Sequence, residues 1–308
     1  MDGLLPKSPA RRAPARPASP GRPDWTQDGK DWPNREASRF HAAAGIDWHV
    51  QIMGSGPVLL LLHGTGAATH SWRDLLPELA QHFMVVAPDL PGHGFTSQPD
   101  KAWMTLPGMG KAVAALLDKL GLQADYAAGH SAGAAVLAEM CLSKRITPSA
   151  LVSLNGAMLP LPFHGVAAPL MGPIAKLFAS NPLVPMLFAW QAADGAVVRK
   201  LLLGTGSTID AEGEKFYARL ARRSGHAGAA LTMMANWDLK TFSQRLPGLK
   251  TRLLLAVGGN DRSIPPADAE RIKRLLPEAE ILLIPGLGHL AHEERPAEIA
   301  AHLRAFFR

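Results

Sequence analysis

Three residues of this 308-residue chain have side chains suited to acyl transfer and stand directly after apolar runs: Ser131, Asp261 and His289. A serine hydroxyl is a weak nucleophile until a neighbouring base takes its proton, and an imidazole does this best when a carboxylate holds its other nitrogen. Ser131 sits in Gly129-His130-Ser131-Ala132-Gly133. That spacing suits a short strand, a sharp turn with serine at its apex and a helix behind it. The residues two before and two after must be small, since a side chain there would collide across the turn, and both are glycine. The run from Ala134 to Leu142 lacks Pro and Gly and is rich in helix formers, so a helix is expected behind the serine.

A negative oxygen formed during such chemistry needs fixed donors. His63-Gly64-Thr65-Gly66 follows a strand and admits two readings. In one it is an oxyanion loop, with the backbone N–H groups of Thr65 and Ala132 as the donor pair. In the other, Gly64 and Gly66 with Asp89 beyond the next strand begin a dinucleotide fingerprint, although Thr69 occupies the third glycine position. The downstream serine turn favours the first. His63, His93 and Trp72 are then loop-packing residues. His292 is a second candidate base, further from its strand end than His289. Asn155 follows another strand where a competing acid would have stood.

The elements that must position these groups are legible as apolar runs. Trp48–Met53 alternates as a half-buried strand does, and Val58–Leu62 is apolar throughout, as a strand covered on both faces must be. Met84–Ala87, Ala150–Leu154, Arg252–Val257 and Ile281–Ile284 are further strands, separated by helices such as Leu106–Leu120 and Pro296–Phe307. The expectation is an α/β fold: a mostly parallel central sheet with helices on both faces, with ligand chemistry at the carboxyl ends of its strands. The alternation breaks after Gly156. Ile146 to Ala175 contains no Asp, Glu, Lys or Arg, yet Pro160, Pro162, Pro169 and Pro173 leave no room for a membrane-spanning helix of about 20 residues. We assign 31–157 and 250–308 to the core and 158–249 to an inserted helical cap. Apolar cap segments at Leu177–Phe178, Leu183–Val184, Met186–Phe188 and Met233–Met234 suit a large apolar ligand or light peripheral contact with a membrane.

Charge adds exclusions. The net charge is +6, and +4 of it lies in residues 1–23, where five cations face only Asp2, so the remainder is nearly neutral and nucleic acid is not an expected partner. That proline-rich basic stretch carries nothing to bury, and residues 1–30 are read as a disordered tail with no secretory apolar run. The lone Cys141 cannot pair internally and suits a reducing cytoplasm. No cofactor is expected: there is no Cys/His metal cluster, and no Gly-x-x-x-x-Gly-Lys-Ser/Thr loop for driving an ATP-dependent reaction.

From about Gly54 to Arg308 the chain resembles the α/β-hydrolase superfamily, through His63-Gly64-Thr65-Gly66, Pro88-Asp89-Leu90-Pro91-Gly92-His93-Gly94, the serine turn, Asp261 and Gly286-x-Gly288-His289. The order Ser131, Asp261, His289 is the order that family's triad follows. A narrower set resembles the magnesium-chelatase accessory proteins of bacteriochlorophyll synthesis: Asp31–Phe40, Thr69–Arg73, Gly204-Thr205-Gly206-Ser207, Leu231–Trp237 and Gly288–Glu294. This resemblance implies a role beside magnesium insertion into porphyrin, with chelatase subunits as partners and a porphyrin-like small molecule as ligand. The residues themselves support a serine hydrolase acting on an apolar ester, amide or thioester; serine at the turn argues against epoxide-hydrolase or dehalogenase chemistry, which uses a carboxylate there.

Overall fold

The computed structural model describes residues 21–160, 183–192 and 194–308. Eight strands form one sheet: β1 (Ser38–Ala43), β2 (Ile46–Met53), β3 (Val58–Leu62), β4 (Met84–Pro88), β5 (Tyr126–His130), β6 (Ala150–Leu154), β7 (Arg252–Gly258) and β8 (Glu280–Ile284). Their spatial order is β1-β2-β4-β3-β5-β6-β7-β8. β2 runs antiparallel to both β1 and β4, and every later pairing is parallel. The chain thus forms the mostly parallel α/β sheet expected of it.

The unbroken apolar runs have a simple cause. On β3, Leu60 and Leu62 face one buried cluster with Trp48, Val86 and Val113, while Leu59 and Leu61 face another with Val85, Val152 and Leu303. Helices α2 (Leu106–Leu120) and α3 (Ala132–Leu142) cover the first face, and α1 (Leu75–Ala80) and the C-terminal helix (Pro296–Phe306) cover the second. With water excluded from both sides, no position of the strand can be polar. Local signals end the elements: the hydroxyl of Thr105 accepts from Gly108 N–H at the start of α2, and Gly121, at φ 66°, ends it in the left-handed conformation.

Between β6 and β7 the described residues contain five further helices: α4 (Leu183–Gln191), α5 (Gly195–Gly204), α6 (Ala211–Ala221), α7 (Ser224–Asn236) and α8 (Leu239–Arg245). Leu177 and Phe178 lie outside the described residues.

Residues 21–30, read from sequence as part of a tail, depart from that expectation. Trp25 packs edge-on against Phe40 and Phe95, with ring centroids 5.3 and 4.8 Å apart, and Arg35 lies over its face. Asp28 binds Arg223 at 2.6 Å, just before α7, and Asp31 takes Arg219 and Lys215 of α6, both at 2.7 Å, all almost two hundred residues later. Trp25 and Asp28 within the segment and Asp31 just after it make these contacts, a combination with no local sequence period. β1 is also additional to the expected strands. It is an edge strand of mixed polarity, joined to β2 by Ala44 and Gly45, both at positive φ.

Candidate functional site

Ser131 occupies the turn between β5 and α3 with φ 50° and ψ −115°, a strained conformation for a residue with a side chain. The flanking glycines are dictated by contact. A Cβ on Gly129 would lie 2.5 Å from the nitrogen of Ala134, and one on Gly133 would lie 2.0 Å from the carbonyl oxygen of Leu62. Gly64 is bare for the same reason, since a Cβ there would lie 3.0 Å from that of Ser131. The His63–Gly66 loop therefore runs directly beside the serine. Ala132 opens α3, so its N–H belongs to the first turn and has no partner within the helix.

Asp261 follows β7 and is almost fully buried. Its Oδ1 accepts from the backbone N–H groups of Ser263 (2.7 Å) and Ile264 (2.9 Å). Its Oδ2 accepts from Asn155 Nδ2 (2.7 Å) and bonds His289 Nδ1 (2.8 Å). A carboxylate with four donors stays in one place, and an ionised acceptor at Nδ1 fixes the proton there, which leaves Nε2 of His289 as the basic nitrogen. Asn155 was legible from sequence only as a missing acid. Pairing of Leu154 with Ala256 sets it beside the end of β7, where its amide supports the acid.

Two further groups steady the histidine. Nε2 of His130 donates to the carbonyl of His289 at 3.0 Å, and burial drives the His130 pKa well below that of a free imidazole, keeping it neutral. Thr205, after α5, accepts through its carbonyl from Arg262 N–H (3.0 Å) and His289 N–H (3.4 Å), while Ser207 Oγ accepts from Leu290 N–H (2.8 Å). Gly206 has φ 85°, and a Cβ there would lie 2.0 Å from the carbonyl oxygen of Asn260. The Gly-Thr-Gly-Ser run thus wedges between the acid loop and the histidine loop.

Ser131, His289, Thr65 and Ala132 line one cavity of about 630 Å³. Val198, Leu202, Ala230, Met234 and Trp237 also line it, and no Asp, Glu, Lys or Arg does among the described residues. Met233, grouped with Met234 in the sequence reading, is instead a core residue, while Leu183, Met186 and Leu187 are exposed on α4 and do not line the cavity.

The competing assignments find other places. His292 is buried, lines no part of the cavity and has its pKa pulled down to about 3 by burial, with the neighbouring His289 and Arg73 adding to the effect. Asp89, the acid of the dinucleotide alternative, is fully buried and already bonded to His49 Nδ1 (2.8 Å), Thr69 N–H (2.7 Å) and Phe95 N–H (2.9 Å). It has no face to offer a ribose. His63 spends one ring nitrogen on the carbonyl of Gly64 and the other on the N–H of Leu90.

The Alpha/beta hydrolase family model matches residues 59–302. The Magnesium-chelatase 30 kDa subunit of Rhodobacter capsulatus is 35% identical over 265 residues, covering 85% of this chain and 92% of that protein. The dihydrolipoyllysine-residue acetyltransferase component of an acetoin cleaving system from Cupriavidus necator is 30% identical over 82% of this chain and 63% of its own length. Among solved structures, an alpha/beta hydrolase fold protein from Burkholderia ambifaria superposes with a TM-score of 0.71 at 21% identity, covering 87% of this chain and 97% of that one. With its strand order, its serine turn and these matches, the chain belongs to the alpha/beta hydrolase family and is a relative of the magnesium-chelatase 30 kDa subunit.

Proposed function

We propose that this protein is a serine hydrolase of uncharged apolar esters that serves as an accessory protein to a magnesium chelatase in bacteriochlorophyll synthesis. The observation that carries the hydrolase half is the 2.8 Å Asp261–His289 bond at the wall of a cavity where Ser131 stands at a strained apex. In this reading Nε2 of His289 takes the proton of Ser131 Oγ as the oxygen attacks the carbonyl carbon. The N–H groups of Thr65 and Ala132 hold the resulting oxyanion. When the tetrahedral species collapses, the bond to the alcohol oxygen breaks and His289 returns the proton to that oxygen. Water then repeats the sequence on the acyl-serine, releasing the acid and restoring Ser131. Asp261 keeps its charge throughout and balances the imidazolium.

The accessory half rests on similarity to the magnesium-chelatase 30 kDa subunit over 85% of the chain. An uncharged cavity of about 630 Å³ suits a large flat apolar ligand such as an esterified porphyrin. Cytoplasmic location is part of the same proposal; no helix among the described residues is long and apolar enough to cross a membrane.

The deciding experiment is labelling with a fluorophosphonate, with Ser131→Ala as control. Labelling that vanishes in the variant supports an activated serine. Folded wild-type protein that stays unlabelled removes the hydrolase half and leaves binding to chelatase subunits or porphyrin, to be read by co-purification and by porphyrin fluorescence.

A further inference from the structure

The proposed oxyanion loop is a four-residue turn. The N–H of Ala67 donates to the carbonyl of Gly64 at 3.2 Å, and Gly66, third in the turn, has φ 74°. A positive φ at that position is what a type II turn requires, and glycine supplies it without strain. Thr65 stands second, so the direction of its N–H depends on how well the turn is held. The bond inside the turn fixes one end of the peptide unit joining Gly66 to Ala67. Its other end, the carbonyl of Gly66, points to a side chain from a remote part of the chain, His226 on α7.

His226 is 2% exposed, with its Nε2 3.0 Å from the carbonyl oxygen of Gly66 and its Nδ1 3.0 Å from the backbone nitrogen of Gly94. A backbone N–H only donates, so Nδ1 must be the bare nitrogen and Nε2 must carry the hydrogen that Gly66 accepts. The tautomer follows from the partners. α7 is pressed onto the same loop pair, since a Cβ on Gly92 would lie 2.5 Å from that of Ala229. The imidazole also lines the cavity.

We infer that His226 is a positioning residue for the anion-binding turn Gly64–Ala67, supplied by the helices between β6 and β7, so that the turn is held in shape only while α7 is docked on it. The consequence for the reaction rests on the hydrolase reading above; the consequence for the turn does not.

Two variants and three readouts test this on the full chain. His226→Leu removes both bonds while keeping an apolar volume; His226→Gln offers one carboxamide acceptor and one donor in their place. In His226→Leu, hydrogen exchange at the Ala67 amide should quicken by about tenfold, while strand amides in β3 and β5 stay as protected as in the parent. Fluorophosphonate labelling should slow by about 10- to 100-fold, short of the loss of a whole donor. An uncharged dye, Nile red, should still bind, because the other residues lining the cavity are unchanged. His226→Gln should recover most of both losses. Unchanged exchange at Ala67 in His226→Leu would overturn the inference, and so would a glutamine variant no better than leucine. A general loss of protection with lost dye binding, unrelieved by glutamine, would make His226 a packing residue and overturn it as well. If the wild-type protein does not label, the hydrolase reading fails while the exchange comparison still decides the role of His226.

Discussion

Asn155→Asp is the most informative single substitution at this site. The amide nitrogen lies 2.7 Å from Asp261 Oδ2 and donates to it. Replacing the amide by a carboxyl sets two acids against each other with almost no water between them. With their charge centres about 4 Å apart and an effective dielectric near 20, the repulsion is about 4 kcal/mol, equivalent to about three pH units on one carboxyl. The new pair therefore keeps one proton up to about pH 7, where a free carboxyl has lost it near 4. The folded variant then binds more protons than the unfolded chain between about pH 4 and 7, so its stability falls as pH rises through that window and levels off above it. Relative to wild type the charge penalty should be about 1.4 kcal/mol at pH 5 and about 4 kcal/mol at pH 8. Urea midpoints at the two values measure it. Asn155→Ala, which only removes a donor to a charged group, should cost about 1.5–3 kcal/mol with no such pH dependence. If Asn155→Asp and wild type differ equally at pH 5 and pH 8, the amide does not face the acid as described and the reasoning fails.

Other perturbations separate the remaining contacts. Gly133→Ala drives a methyl to 2.0 Å from the Leu62 carbonyl and should cost about 3 kcal/mol in urea unfolding; a wild-type midpoint would deny the tight crossing of β3 behind the serine. Trp25→Ala should cost about 2 kcal/mol, less than a fully buried tryptophan would, since Trp25 is only half-buried, and a scan showing no change in melting temperature would mean that its ring does not help to hold residues 21–30. Acid should weaken the fold through its buried imidazoles. Burial pulls His226 down to about 4 and His292 to about 3, so both stay neutral in the folded protein while the unfolded chain takes up protons below about 6.5. Stability present above that value is lost as pH falls, by about 1.4 kcal/mol per pH unit for each proton, and His226→Gln should remove one proton from the slope between pH 6 and 5. Tyr217→Phe leaves Glu293 Oε1 without its 2.6 Å donor and should cost about 1–3 kcal/mol, checked by thermal melting.

What was legible in the sequence follows from how locally each feature is encoded. β3, β4, β6 and β7 announce themselves because both faces are buried and nearly every position is apolar, buried Ser153 and exposed Arg252 excepted. The serine turn does so because its collisions occur within five residues. Asp261 and His289 were found from their places after strands, and their mutual bond is the joint product of the β6–β7–β8 register. β1 was missed because an edge strand with exposed Arg39 and half-buried Phe40 carries no sustained period. Asn155 was noticed for what it is not, since its use depends on a neighbouring strand that begins about a hundred residues later. His226 left no signal: one histidine in an alanine-rich helix acquires its role only when α7 reaches the Gly64–Ala67 turn.

The ion pairs that residues 28 and 31 make with α6 and α7 bear on how anything enters or leaves the cavity. Swinging those helices away as a rigid flap would have to part Asp28 from Arg223, and Asp31 from Arg219 and Lys215, together with the 2.8 Å bond from Gly225 N–H to the carbonyl of Gly21. Leu201 and Met234, by contrast, line the cavity and are 51% and 55% exposed. Their side chains are long, unbranched at Cβ and tied to no partner of fixed geometry, so they shift on the timescale of rotamer exchange rather than of domain motion. Where these two residues border the cavity, its wall yields by side-chain rotation and needs no hinge.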